Sequence, residues 1–504
     1  MILGLLVAQV FYFGQGLQPQ EDAAMLLRYA GHFAQGHGIV WNVGEAPVDG
    51  ATDFLFMVMV AGLSKLGFRL EIASLILTFA AHLLTVFLVY RLLIRQSANI
   101  WAASLSALVV MMGPAFSYIE AGFGTTVFAL AGLWTFQYFL RMLQKGFEPS
   151  SANWFALASL MTGLIRPEGV LLSLGMLGAL ALKIEAKNRK ALLLRYGIIF
   201  GIPGALYFGW HWFYFGYPLP NPFYVKGGGS LYISSLSSAM IGAGKMSFVL
   251  VPLLLLGIWK RSGRTNNLFL LWPIAFFVGI WILMSNAMNY NHRFQYVLMP
   301  ILWVVWLPVL RSIWPEFQLK GLKLALGIGM TALMLTMQSY VYVLHPRMFV
   351  DGRAELGTAL ASYADKGYTM AITEAGNLPF YSDWKAIDTW GLNDKTISHA
   401  GIVSSKYLDQ YSPELIMVHD YWSPGKEKLR PQEKWAVMTD TLEAYLKMRD
   451  YELVACWGRE ADNAHFYYLK RDFPDYAALK PLIQGFRYSW HEDGDEAVNF
   501  LQED

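Results

Sequence analysis

Two adjacent carboxylates, Glu21-Asp22, follow the first apolar stretch of a 504-residue chain that is otherwise poor in acids for most of its length. Up to position 344 there are 11 Asp or Glu, and six of them (Glu21, Asp22, Glu45, Asp49, Asp53, Glu71) precede position 72. Cations stand at the ends of later apolar runs: Arg166 in Arg166-Pro167-Glu168-Gly169, Lys226 after Asn221-Pro222-Phe223-Tyr224-Val225, and Arg293 in Asn289-Tyr290-Asn291-His292-Arg293. Arginine holds phosphate bidentately and does not deprotonate. A carboxylate beside a hydroxyl can take its proton, worth about 10²–10⁴-fold in rate. Together these groups suit chemistry at a sugar carried on a lipid phosphate, where the cations stabilise the leaving phosphate as its charge develops. Singly, each set also reads as plain structure: a solvated loop with Asp22 as N-cap, a hairpin with its own ion pair, a headgroup-anchoring lysine, a snorkelling arginine.

The elements that must position these residues are apolar. Hydrophobic residues make up 55% of the chain and aromatics 15%. Runs of the roughly 20 residues that cross a hydrocarbon core recur. Spans are expected at about 1–16, 71–93, 99–118, 123–143, 153–166, 168–184, 192–215, 246–260, 267–285, 294–313 and 321–344. Residues 1–14 lack the basic start and small-residue cleavage site of a signal peptide, so 1–16 reads as a short first span. With the N-terminus inside, 15 Lys or Arg fall on cytoplasmic connections and 7 outside, while acids divide 8 outside and 3 inside. That is the positive-inside bias. It makes 17–70 the first outside loop and puts the tail outside. Reporter fusions after Lys190 and after Arg347 should therefore report opposite sides of the membrane; the same side for both would overturn the span count. Within the first loop, 54–68 is apolar but short, an interfacial or re-entrant helix. Residues 22–34 have a helical apolar period with Arg28 and His32 on the wetter side, a helix expected to lie on the membrane surface.

The net charge of +2 hides a split. Residues 1–344 carry 22 basic and 11 acidic side chains, and 345–504 carry 17 and 26. An acidic tail gives no reason to expect nucleic-acid binding. The single cysteine, Cys456, excludes an internal disulfide and a cysteine metal cluster, and reads as strand filler. In the tail, 351–365 and 433–449 read as helices and 368–373, 415–419, 452–456 and 465–469 as strands. That is a small α/β domain, ending in a solvated acidic stretch.

The segments EDAAMLLRYAGHFAQGHGIVWNVGEAPVDGATDFL (21–55), LIRPEG (164–169), GYPLPNPFYVKGG (216–228), HRFQYVLMP (292–300) and LPFYSDWKAIDTWGLNDKTIS (378–398) resemble, in order over about 380 residues, the GT-C membrane glycosyltransferases. The likeness is greatest to the branch of terminal arabinofuranosyltransferases. The resemblance implies a polytopic α-helical membrane protein of about 11 transmembrane helices, with a catalytic domain over 1–344 and a soluble extracytoplasmic α/β domain over 345–504. It implies Asp22 as the catalytic carboxylate, with Glu21 beside it. Lys226 and Arg293 would take the donor phosphate, helped by Arg166, Tyr224 and His292. Arg28, Asn42, Glu45, Asp49, Asp53, Glu168, Asn221, Tyr381, Asp388, Asn393 and Asp394 would bind substrate. Asp49, Ala51 and Asp53 depart from the branch, which has Glu, Tyr and Asn there.

The expected activity is transfer of a pentofuranose or hexose from a polyprenyl-phosphate donor. The acceptor would be an envelope glycan, glycolipid or protein hydroxyl on the outer face of the plasma (inner) membrane. No cofactor is required; a divalent cation at Glu21-Asp22 is compatible with the residues, but no ligand spacing demands one. The competing reading, a transporter or flippase of a lipid-linked glycan, would favour internal repeats and charges near the bilayer midplane. The sequence shows neither.

Overall fold

The apolar runs fold as helices, and the tail folds around a sheet. The computed structural model describes residues 18–97, 99–226, 231–260, 263–314, 322–339, 351–420, 434–460, 463–490 and 496–501. The expected first span, 1–16, lies outside the described residues, as do 321 and 340–344 of the expected 321–344 span.

Among the described residues four helices are long and apolar enough to cross a membrane: Leu70–Gln96, Ile100–Glu120, Ala186–Phe215 and Arg264–Leu283. The chain is a multi-pass membrane protein. Phe213 is 90% exposed on one of these helices, and Leu206 70%, surfaces that only lipid covers without cost. The expected span at 246–260 is instead part of a broken pair, Ile233–Ser247 and Val251–Trp259, bent by 106°. Pro252 in the first turn of the second helix accounts for the break, since proline cannot continue the hydrogen-bond ladder. Residues 54–68 form a short apolar helix, Phe54–Lys65. We label it α2, and Glu21–Gln35, the helix before it, α1.

The expected surface position of α1 is a misreading of its polar side. Arg28 and His32 are each only 4% exposed, because the C-terminal domain, rather than water, covers that face. Arg28 donates to the carbonyls of Trp41, Pro379 and Trp384 and to Asn42 Oδ1. Nor is Asp22 the N-cap: Gln20 is, its side chain accepting from the Asp22 N–H at 2.8 Å.

The C-terminal sheet has six strands: β1 (Thr369–Ile372), β2 (Lys385–Asp388), β3 (Leu415–Asp420), β4 (Tyr451–Glu460), β5 (Asn463–Lys470) and β6 (Val498–Asn499). Their order is β2-β1-β3-β5-β4-β6, with β1 parallel to β2 and β3 and the other pairs antiparallel. β1 is buried along its whole length, as parallel strands require. Met370, Ile372, Met417 and Tyr467 face a core continuous with the membrane helices. Alternate residues Ala371, Ile416, Val418 and Phe466 face a second core closed by the helix Lys434–Met448. Of the closing stretch expected to be solvated, Val498 and Asn499 pair with β4, and Ala497 is buried.

Cys456 lies in the second core, and burial pushes its thiol up to about 12. At pH 8 a thiolate fraction of about 10⁻⁴ follows, so the folded protein should resist maleimide until it unfolds. Rapid labelling of native protein would show that β4 opens locally.

Candidate active site

Asp22 sits in the first turn of α1, where unsatisfied N–H groups favour a negative charge. Arg293 reaches it from just ahead of the helix Leu298–Ile313, with Nη2 2.6 Å from Asp22 Oδ2. The approach to Arg293 is a tight left-handed turn, Asn291 at φ 45° and His292 at φ 60°, a conformation costly for residues with a Cβ and concentrated at functional sites. The guanidinium lies 3.8 Å over the Phe123 ring, and its buried Nε and Nη1 find no acceptor among the described residues.

Lys226 ends the short helix Asn221–Val225, which carries Pro222 in its first turn. Its Nζ is 3.3 Å from the Ala287 carbonyl. Burial lowers its pKa from the usual value, with Asp22 pulling it up and Arg293 and Arg166 down.

A second ion group adjoins the first. Arg166, at the turn between the helices Pro149–Ile165 and Glu168–Lys183, lies 2.8 Å from Asp53 and 2.7 Å from Glu168, and its guanidinium packs 4.9 Å from the Phe294 ring. Burial pushes the Asp53 carboxyl above its usual value, although Arg166 pulls the other way.

All six charged groups line one cavity of about 240 Å³, together with Phe123, Tyr232, Trp281 and, from the C-terminal domain, Leu392. Hence Asp22, Asp53, Arg166, Glu168, Lys226 and Arg293, spread over 272 positions of sequence, share one space.

The other sequence-derived candidates do not line it. Glu21 turns away from Asp22: its carboxylate accepts the N–H groups of Gly376 at 2.5 Å and Asn377 at 3.0 Å. A Cβ at Gly376 would sit 2.0 Å from the Glu21 carbonyl, so the C-terminal domain docks there by bare backbone. Arg28 and Asn42 are consumed in the same docking, Asn42 pairing with both backbone groups of Ala386. Glu45 pairs with Lys385, and Asp49 with His211 at 2.7 Å. The Asn221 N–H donates to the Asp49 carbonyl.

Tyr224 packs on His399, 4.5 Å between ring centres. His292 points to Lys245 rather than to the cavity. Tyr381 donates to Glu71 at 3.3 Å. Asp388 accepts the N–H groups of Trp390, Gly391 and Asn393, and its carboxyl is pushed up to about 6 by burial. Asp394 caps the helix Lys395–Ala400. Asn393 lies against Met25 and Gly50, where a Cβ would meet its Oδ1 at 2.2 Å. For Glu21, Arg28, Asn42 and Glu45 the physical reason is common: they satisfy polar groups between α1, its following loop and the C-terminal domain.

Two sets escaped the sequence reading. The aromatic lining, Phe123 and Trp281, had only Gly122-Phe123-Gly124 as a signal. The other is Glu374, His419 and His465, whose donor atoms all lie within 4.8 Å of one another, a set compatible with a divalent cation. Their spacing of about 45 residues carries no motif.

The architecture matches solved membrane proteins. ArnT from Cupriavidus metallidurans in the apo state aligns with TM-score 0.58 and 15% identity, covering 92% of this chain and 97% of that one. The same protein bound to undecaprenyl phosphate aligns at 0.56 and 14%, covering 92% and 97%. The fold is GT-C. The archaeal oligosaccharyltransferase AglB from Archaeoglobus fulgidus, in complex with an inhibitory peptide and a dolichol-phosphate, aligns at 0.51 and 11% identity, covering 91% of this chain and 71% of that one. A family model described as a domain of unknown function, DUF8728, matches residues 344–475 of this chain. No curated protein matches the sequence.

Proposed function

We propose that this chain is a membrane glycosyltransferase that moves a sugar from a polyprenyl-phosphate donor to a hydroxyl, with Asp22 as the catalytic carboxylate. One observation carries the reading: Asp22 and two cations, Arg293 and Lys226, line one cavity, and Arg293 keeps two buried donors with no acceptor among the described residues. The undecaprenyl phosphate and dolichol-phosphate bound by the neighbours of the same fold support a donor of that class. In this reading the donor phosphate lies between the Arg293 guanidinium and Lys226. The acceptor O–H gives its proton to Asp22 as its oxygen bonds to the anomeric carbon, and the electron pair of the breaking C–O bond leaves with the phosphate. The cations are already in place, so no reorganisation is needed as charge develops.

The reading extends to about 11 spans, the active site and the tail lying outside the plasma membrane, and an envelope glycan, glycolipid or protein as acceptor. Its support is the distribution of Lys and Arg between the two sides. Asp53, Arg166 and Glu168 shape the sugar end of the cavity, where the chain departs from the arabinofuranosyl branch.

Binding is tested with purified protein and a panel of polyprenyl-phosphate sugars differing only in the sugar. Lys226→Ala and Arg293→Ala should each weaken binding about tenfold or more, as loss of a charge-assisted hydrogen bond does. Unchanged affinity in both variants would place the phosphate elsewhere.

A further inference from the structure

The sheet brings a second set of chemical groups together, outside the cavity. Glu374 follows the end of β1, His419 lies near the end of β3, and the β3–β5 register sets His419 directly opposite His465. His419 Nδ1 is 2.9 Å from Glu374 Oε1, and His465 Nε2 is 3.4 Å from Glu374 Oε2. Metal–donor bonds of about 2.0–2.2 Å place neighbouring ligand atoms roughly 3.0–3.5 Å apart in octahedral to tetrahedral arrangements. Both imidazoles are also held from behind: His419 Nε2 is 2.8 Å from Asn463 Oδ1, and His465 Nδ1 is 2.7 Å from the Tyr488 hydroxyl. Such outer contacts fix which ring nitrogen is bare in metal-binding histidines.

Glu374 is in turn held by Arg353, which also contacts Asp351 and Glu21, and all four side chains are at most 19% exposed.

We propose that Glu374, His419 and His465 bind one divalent transition-metal ion, zinc(II) being the ion such a donor set prefers. Arg353 orients the carboxylate from its far side and links it to Glu21, 3.7 Å away. The ion would thus fix the C-terminal sheet to the start of α1, the turn that carries Asp22. The proposal does not depend on the transfer reaction.

The full-length protein in detergent is stripped with a chelator, dialysed against zinc(II) or cobalt(II), and assayed for metal content and visible cobalt absorption. About one ion per chain is expected, with cobalt bands in the visible, and His419→Gln with His465→Gln should lower retained metal at least about tenfold. Asn463→Ala leaves all three ligands in place and should weaken zinc affinity about 10–100-fold; resistance of Cys456 to maleimide verifies that each variant is folded. Wild-type protein that retains below about 0.1 ion per chain after loading overturns the proposal. So does unchanged binding in the folded double variant.

Discussion

Replacing Asp22 by Asn is expected to cut sugar transfer by about 10²–10⁴-fold, the contribution of a placed general base. The substitution keeps the shape of the side chain and the Gln20 cap at its N–H, so α1 should remain folded. It removes the charged half of the 2.6 Å contact with Arg293. The guanidinium, relieved of competition, should hold the donor phosphate at least as well as before. A fall in kcat with unchanged or tighter donor Kd is therefore the signature. Single-turnover assays with saturating donor separate the two quantities. A variant that transfers at the wild-type rate would remove Asp22 from the mechanism, and a variant that loses donor binding would make it a structural partner of Arg293 alone.

Arg166→Met should be the most destabilising single change near the cavity, at about 3–5 kcal/mol, because it leaves a pair of buried carboxylates without their counter-ion. Asp53 and Glu168 both contact Arg166, and the side chains are 9–12% exposed, too buried for water to screen the loss. Chemical or thermal unfolding in detergent, followed through Cys456 labelling, measures it. Adding Asp53→Asn and Glu168→Gln to Arg166→Met should recover much of the loss, since the remaining groups are then neutral. A single variant as stable as wild type would mean that water enters this part of the cavity and solvates the carboxylates.

The helices were legible because apolar length is a local property. The expected spans at 71–93, 123–143, 153–166 and 168–184 coincide closely with the helices Leu70–Ser97, Thr125–Lys145, Pro149–Ile165 and Glu168–Lys183. β1, β3, β4 and β5 were legible for the same reason, as runs of apolar residues. β2 and β6 were not. β2 has only Ala386 and Ile387 between charged ends and β6 is two residues long, so each depends on the edge of the strand it pairs with. The bent pair at 233–259 was missed because hydropathy sums over a window and does not see direction.

Charge told less than it promised. Glu21, Arg28, Glu45 and Asp388 carry the same residue types as the cavity lining, yet they lie where α1 and its following loop meet the C-terminal domain, or within that domain. A buried interface between two parts of one chain needs satisfied polar groups as much as a binding site does. Sequence cannot distinguish the two uses, since both favour polar residues in an apolar context.

What the sequence determined by itself was the medium and the chemistry on offer: a chain that must live in lipid, with carboxylates and fixed cations held at the ends of its spans. Only the tertiary structure decided which of them meet. Asp22 and Arg293 are 271 positions apart and 2.6 Å from one another, while Glu21, adjacent to Asp22, faces the sheet. Successive residues of a helix point about 100° apart, so neighbours in sequence belong to different surfaces. Long-range packing selects the one that reaches the cavity.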